Sequence, residues 1–120
     1  MTNFLQSIKD QVLVLDGAMG TMLQARGLKA GGCPEEMNLE APDVVAGIHR
    51  EYAEAGSDIV LTNTFGGSVA RLKIHNIGNL TYELNRASVE LAREVADQSG
   101  ALVAGDIGPS GASLPLRITG

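Results

Sequence analysis

The sequence predicts an α/β fold with parallel strands, and two features of its 120 residues indicate this. Short runs that are apolar at every position alternate with segments in which apolar residues recur at helical spacing. A run that is apolar on both faces is typical of a parallel strand, which is covered on both sides. Strands that alternate with helices form right-handed βαβ units. The predicted order is helix, strand, helix, strand, helices, strand and a final loop.

The first 34 residues are predicted to place one strand between two short helical segments. Residues 3–10 form an amphipathic helix that Thr2 could cap. Residues 12–15 form the first buried strand, and residues 18–27 form one or two helical turns that end at a glycine. A glycine-rich loop over residues 29–34 follows.

Two further strands and three helices are predicted in the remainder of the chain. Pro42 suits the first turn of a helix, and Val45, Ile48, Tyr52 and Ala55 fall on one face of it. The predicted elements are a helix from Pro42 to Gly56, a strand over residues 59–61, a short helix over residues 69–75, a long helix that Asn79 or Thr81 caps and that ends near Gln98, a strand over residues 102–104 and a loop over residues 107–120.

The composition excludes several classes of protein. The chain is 44% hydrophobic with 3% aromatic residues, which predicts a core of Leu, Ile, Val and Ala. Its formal net charge of −5 argues against a nucleic-acid or anionic-membrane partner, because both attract basic surfaces. The sequence has no signal-peptide pattern, and no apolar run approaches the roughly 20 residues that cross a bilayer. The single cysteine, Cys33, excludes an internal disulfide and favours a cytoplasmic protein.

Three parallel strands are too few for a complete domain. Such a sheet has two unpaired edges and leaves its apolar strands half covered. A (β/α)8 barrel typically needs about 250 residues. We therefore expect a truncated domain, or a domain that another chain completes, and an isolated chain that associates or unfolds in part.

Polar residues and glycines follow each predicted strand, where parallel sheets form their sites. Asp16 follows the first strand, residues 62–67 follow the second, and residues 105–111 follow the third. The Asp16 carboxylate could accept an ammonium group, and the N–H groups of Gly17 and Ala18, taken as a helix start, could bind a carboxylate. The alternative is that Asp16 only caps that helix.

Other candidate residues have two interpretations each. Residues 62–64 could bind a ligand or only hold the backbone of their loop. Phe65 could form a pocket wall, although a position in the core is favoured. For Asp106, a role as a loop cap is favoured over a contact with a ligand. His49 favours a helix surface or a position between helices. Cys33 by itself is not a metal site.

Seven stretches resemble the homocysteine-binding module shared by cobalamin-dependent methionine synthase, betaine–homocysteine methyltransferase and S-methylmethionine-type homocysteine methyltransferases. The segments Asp-Gly-Ala-Met-Gly-Thr and Asn-Thr-Phe-Gly are most similar to the bacterial methionine synthase branch. The stretches occur in family order across nearly the whole chain, at residues 15–21, 34–39, 41–45, 49–52, 55–59, 62–66 and 105–109.

The resemblance implies a (β/α)8 barrel in which residues 1–120 supply the first three β/α units of one homocysteine-binding domain. It also implies methyl transfer to a homocysteine thiolate that zinc activates, with cobalamin as the methyl carrier of the full-length enzyme. By the same resemblance the substrate-binding residues are Asp16 for the homocysteine amino group, Gly17 and Ala18 for its carboxylate, and Thr64 and Phe65 for the pocket wall.

The sequence departs from the family in its metal ligands. The zinc ligands of the family are three cysteines from later strands, and Cys33 matches none of them. A three-thiolate site cannot be built from one cysteine. We therefore expect these residues alone to bind no zinc and transfer no methyl group, their partners being the remaining barrel strands or downstream cobalamin-binding domains. The alternatives are a homocysteine methyltransferase that uses betaine or S-methylmethionine, a small α/β module that binds a carboxylate or phosphate, and a remnant that pairs with a separate chain.

Overall fold

The computed structural model describes residues 3–112, which fold into a mixed α/β structure with a two-stranded parallel sheet. The α/β class and the parallel strands predicted from the sequence are confirmed. None of the helices within residues 3–112 is both long and apolar enough to cross a membrane. The elements are α1 (Phe4–Asp10), α2 (Gly20–Gln24), α3 (Met37–Glu40), α4 (Pro42–Glu54), β1 (Ile59–Leu61), α5 (Val69–Ile74), α6 (Thr81–Ser99) and β2 (Leu102–Ala104), with 3₁₀ turns at Pro34–Glu36 and Gly78–Leu80.

The sheet pairs β1 with β2 in parallel, with Val60 opposite Val103. The connection between them contains α5 and α6, as a βαβ unit requires. Val60 packs against Ala92 and Ala96, so α6 covers one face of the sheet. Because side chains alternate along a strand, Ile59 and its neighbours of the same parity face away from α6.

The predicted strand over residues 12–15 is wrong in extent. Only Leu15 forms a bridge, which is parallel and pairs with Ile59 at the edge of β1 opposite β2. Two side chains replace the ladder bonds on either side of this bridge. Asp58 Oδ2 accepts from the Val14 N–H at 2.9 Å, and Asp16 Oδ2 accepts from the Leu61 N–H at 3.2 Å. Residues 12–15 therefore lie next to β1 in space but do not form a strand.

The helix boundaries agree with the sequence better than the caps do. Asn3, not Thr2, caps α1, because its side chain accepts from the Leu5 N–H; Thr2 lies outside the described residues. Neither predicted residue caps α6, whose N-cap position is Leu80 without a side-chain hydrogen bond. The preceding turn Gly78–Leu80 leads directly into this helix, and the hydroxyl of Thr81 donates back to it. The short helix α3 was not predicted.

The core consists of helix contacts on one side of the sheet. Leu23, Val45 and Ile48 join α2 to α4, and Leu72 and Leu84 join α5 to α6. The apolar segment at the other edge is uncovered, and its exposed side chains within the described chain are Val12 (89% exposed), Val14 (56%) and Leu15 (52%). The helical layer is therefore packed, whereas the edge beside Leu15 is not.

Candidate functional site

A cavity of about 320 Å³ lies at the carboxyl ends of the sheet. It brings together all five residues that the sequence indicates as substrate-binding, and the ends of all three predicted strands contribute to it. The lining residues are Asp16, Gly17, Ala18, Met19, Gly20, Pro34, Glu35, Leu61, Thr62, Asn63, Thr64, Phe65 and Asp106.

Asp16 is held in this cavity by the bridge that precedes it. Its N–H donates to the Ile59 carbonyl at 3.0 Å, and its Oδ2 accepts from the Leu61 N–H at 3.2 Å. Its second oxygen, Oδ1, is buried and has no hydrogen-bond partner within residues 3–112. Burial raises the pKa of Asp16 above its usual value, and the nearby charge of Asp106 acts in the same direction. The orphan oxygen is thus an acceptor suited to a cationic ligand group.

The charge of the cavity has one sign. Asp16, Glu35 and Asp106 line it, and the lining contains no lysine, arginine or histidine from the described part of the chain. A carboxylate ligand without its own positive charge would be repelled here, whereas an ammonium group would be attracted. The lining therefore favours a zwitterionic or cationic ligand over a simple anion.

Glu35 also lines the cavity, although the sequence does not indicate it as a site residue. It is 5% exposed, and its Oε1 accepts from the Gly66 N–H at 2.6 Å. Its Oε2 accepts from the thiol of Cys33 at 3.3 Å. Glu35 therefore ties the 3₁₀ turn before α3 to the loop after β1. The available signal was its place in the family-like stretch at residues 34–39, where a carboxylate follows a proline.

The interpretation of Gly17 and Ala18 as a helix start is wrong, because α2 begins two residues later at Gly20. Both residues lie in irregular backbone that lines the cavity. Their N–H groups donate to no acceptor among the residues the structure describes. They are therefore free to bind a ligand as isolated donors, without the aid of a helix dipole.

Thr62, Thr64 and Asp106 form a closed hydrogen-bonded ring. The Asp106 N–H donates to Thr62 Oγ1 at 3.0 Å, and the Thr64 hydroxyl donates to the Asp106 carbonyl at 2.7 Å. The two hydroxyl oxygens are 2.7 Å apart. Because each hydroxyl has one proton, Thr62 must donate to Thr64. Both hydroxyl protons are therefore used to hold the backbone of the loops together, which was one of the two interpretations of these residues. Thr64 has no proton left to donate to a ligand.

Replacing Thr64 with valine is expected to lower the free energy of unfolding by about 2 kcal/mol, because the change leaves the Thr62 proton and the Asp106 carbonyl without partners. Urea denaturation followed by circular dichroism measures the change. Thr21→Val, at an exposed threonine in α2, is the matched control. Equal denaturation midpoints for the two variants would contradict the ring.

Asn63 and Phe65 differ in what remains available to a ligand. The Asn63 side chain donates to the Pro34 carbonyl and to the Asn38 amide oxygen, each at 2.9 Å, so it serves the protein. Phe65 is 58% exposed, so the favoured core position is wrong and its ring forms part of the cavity wall.

The described residues do not fit a zinc ion. Residues 3–112 contain no group of three or more His, Cys, Asp or Glu side chains that could hold a metal. Cys33 is buried and bonded to Glu35, and burial raises the pKa of its thiol to about 11. A zinc-binding cysteine needs the opposite, a thiolate with a lowered pKa. Cys33 therefore serves as a buried hydrogen-bond donor.

Comparisons with known proteins agree on one family. The family model described as "Homocysteine S-methyltransferase" matches residues 13–119. The methionine synthases of Mycobacterium tuberculosis and Mycobacterium leprae are 42% and 40% identical over 127 aligned positions, which cover 95% of this chain and 10% of each relative. The chain thus spans about a tenth of the length of these curated relatives.

Two solved structures of one homocysteine methyltransferase resemble the fold. The metallated form of the homocysteine methyltransferase MmuM from Escherichia coli has a TM-score of 0.73 and 30% identity, over 87% of this chain and 40% of that one. Its oxidized form has a TM-score of 0.76 and 30% identity, over 92% and 42%.

Proposed function

The chain belongs to the homocysteine S-methyltransferase family, and on that premise we propose that it supplies the homocysteine-binding rim of a methionine-forming methyltransferase. Residues 1–120 would be the first part of one (β/α)8 domain, whose remaining strands cover the exposed edge at Val14 and Leu15. Support for this comes from the exposure of that edge and from the share of MmuM that the chain matches.

The observation that carries the proposal is the buried, unpartnered Oδ1 of Asp16 in an acidic cavity. The homocysteine ammonium would donate to this oxygen in a charge-assisted hydrogen bond. The substrate carboxylate would accept from the free N–H groups of Gly17 and Ala18. Thr64 and Phe65 would line the wall beside the side chain of the substrate.

Zinc would be held by other parts of the complete enzyme, because the residues described here fit no zinc ion. Cobalamin would be the methyl carrier of that complete enzyme. The residues of this chain would bind and orient the substrate, so we expect no methyl transfer from the 120 residues alone. The methyl donor proposed is methylcobalamin rather than betaine or S-methylmethionine. Its support is the higher identity to the methionine synthases, 42% and 40%, than to MmuM, 30%.

An NMR titration of the isotope-labelled chain tests the binding role. L-Homocysteine is expected to shift the amide signals of Gly17 and Ala18. Two analogues serve for comparison: mercaptobutanoate lacks the ammonium group, and aminopropanethiol lacks the carboxylate. Each is expected to bind at least about tenfold more weakly than homocysteine, because each loses a charge-assisted contact.

The same panel distinguishes the alternative of a simple carboxylate-binding module. Such a module would bind mercaptobutanoate as well as homocysteine. That result, or the absence of any shift at Gly17 and Ala18 when homocysteine is added to a chain whose amide spectrum is that of a folded protein, would contradict the proposed role.

A further inference from the structure

The phenol of Tyr52 contacts Gly17 and Ala18 from outside the cavity that these two residues line. Its hydroxyl donates to the Ala18 carbonyl at 2.7 Å, across 34 positions of sequence. Its ring lies against Gly17, where a Cβ would come within 2.9 Å of both Cε1 and the hydroxyl oxygen. One side chain of α4 therefore both packs against Gly17 and bonds to Ala18.

This contact matters because the segment lacks other backbone restraints. The nearest hydrogen bonds hold the Asp16 N–H on one side and the Met19 carbonyl on the other. Between them, Tyr52 makes the only hydrogen bond to Gly17 or Ala18 among residues 3–112. Fixing the Ala18 carbonyl also fixes the plane of its peptide, and with it the opposite direction of the Met19 N–H.

We propose that Tyr52 is a positioning residue: its ring against Gly17 and its bond to the Ala18 carbonyl hold in place the segment whose N–H groups would bind the substrate carboxylate. The proposal rests on the proposed function of Gly17 and Ala18. It also explains why position 17 is glycine, since any Cβ there would displace either the phenol or the backbone. Tyr52 lies outside the cavity lining and would not touch the substrate.

Tyr52→Phe tests the proposal, because it keeps the ring and removes the hydroxyl. Dissociation constants for L-homocysteine and for aminopropanethiol are measured by the NMR titration. The variant is expected to bind homocysteine about fivefold more weakly, the effect of one lost neutral hydrogen bond. Its affinity for aminopropanethiol is expected to stay unchanged, because that ligand has no carboxylate to position.

Tyr82→Phe is the matched control, since Tyr82 is exposed on α6 and lines no part of this cavity. An equal loss for both ligands in Tyr52→Phe would overturn the proposal in favour of a general structural role. Homocysteine affinity equal to that of Tyr82→Phe would overturn it as well.

A ligand-free measurement separates the proposal from the proposed function. If the unaltered chain binds no homocysteine, the function fails, and the amide signals of Ala18 and Met19 still decide the role of Tyr52. Shifted or broadened signals in Tyr52→Phe would support positioning, and superimposable signals would overturn it. Gly17→Ala, whose Cβ would come within 2.9 Å of the phenol and force the ring or the segment to move, is expected to shift the same two signals.

Discussion

Asp16→Asn is expected to weaken L-homocysteine binding about ten- to hundredfold, because it removes the carboxylate that would pair with the ammonium group. The amide oxygen of asparagine is still able to accept from the Leu61 N–H, so the local backbone should be kept. The affinity of the unaltered chain should also fall as the pH is lowered through the raised pKa of Asp16, and that dependence should disappear in the variant.

The same substitution is expected to leave stability unchanged or higher. The folded chain raises the pKa of Asp16, so the unfolded state ionises this group more readily. Stability from this group is then complete below the ordinary pKa and is lost as the pH rises through the raised value. At neutral pH the charged carboxylate opposes folding, and asparagine removes that cost.

Asp43→Asn removes an equal charge from the exposed first turn of α4 and controls for net charge. Its homocysteine affinity should match that of the unaltered chain. A melting temperature of Asp16→Asn several degrees below that of the unaltered chain, with homocysteine binding retained, would show that Asp16 is structural.

The sequence predicted the parallel strands and the position of Asp16 because both depend on local patterns. Apolar runs and the residue that ends each run are visible along the chain. The limited pairing of residues 12–15 could not be predicted in this way. The carboxylates of Asp16 and Asp58 accept from the N–H groups that a ladder would use. That competition is set by tertiary contacts 44 and 45 positions apart.

Glu35 and Tyr52 were missed as parts of the site for the same reason. The sequence indicates Tyr52 only as a member of the apolar face of α4, because the acceptor of its hydroxyl lies 34 positions away. Glu35 belongs to a turn with no helical or strand pattern, and its partner Gly66 lies 31 positions away. Residues that support a site through distant contacts leave no periodic pattern in the sequence that would identify them.

His49 is expected to make the chain acid-labile. It lies in α4 with no exposed surface, and neither ring nitrogen has a partner within the described residues. Of the two positions that the sequence left open for His49, the helix surface is therefore wrong, and the buried position between helices remains. Burial lowers its pKa from 6.5 to about 4, since a charged ring would lose its hydration without gaining a partner.

The sign of the pH effect follows from this lowered pKa. Between about pH 6.5 and about pH 4 the unfolded chain binds a proton at His49 that the folded chain does not. The free energy of unfolding should therefore fall by about 3 kcal/mol from this group as the pH is lowered from 7 to 4. That is a large part of the stability of a small domain.

His49→Leu isolates the effect, because the substitution removes both orphan nitrogens and the titration together. Urea denaturation at pH 7 and pH 4 should give a smaller loss of stability in this variant than in the unaltered chain, by about 3 kcal/mol. At pH 7 the variant should be at least as stable, since no buried polar atom loses a partner. His75→Leu, at an exposed histidine just after α5, should keep the full pH dependence. If the His49→Leu chain lost as much stability at pH 4 as the unaltered chain, the acid lability would have to originate at another group.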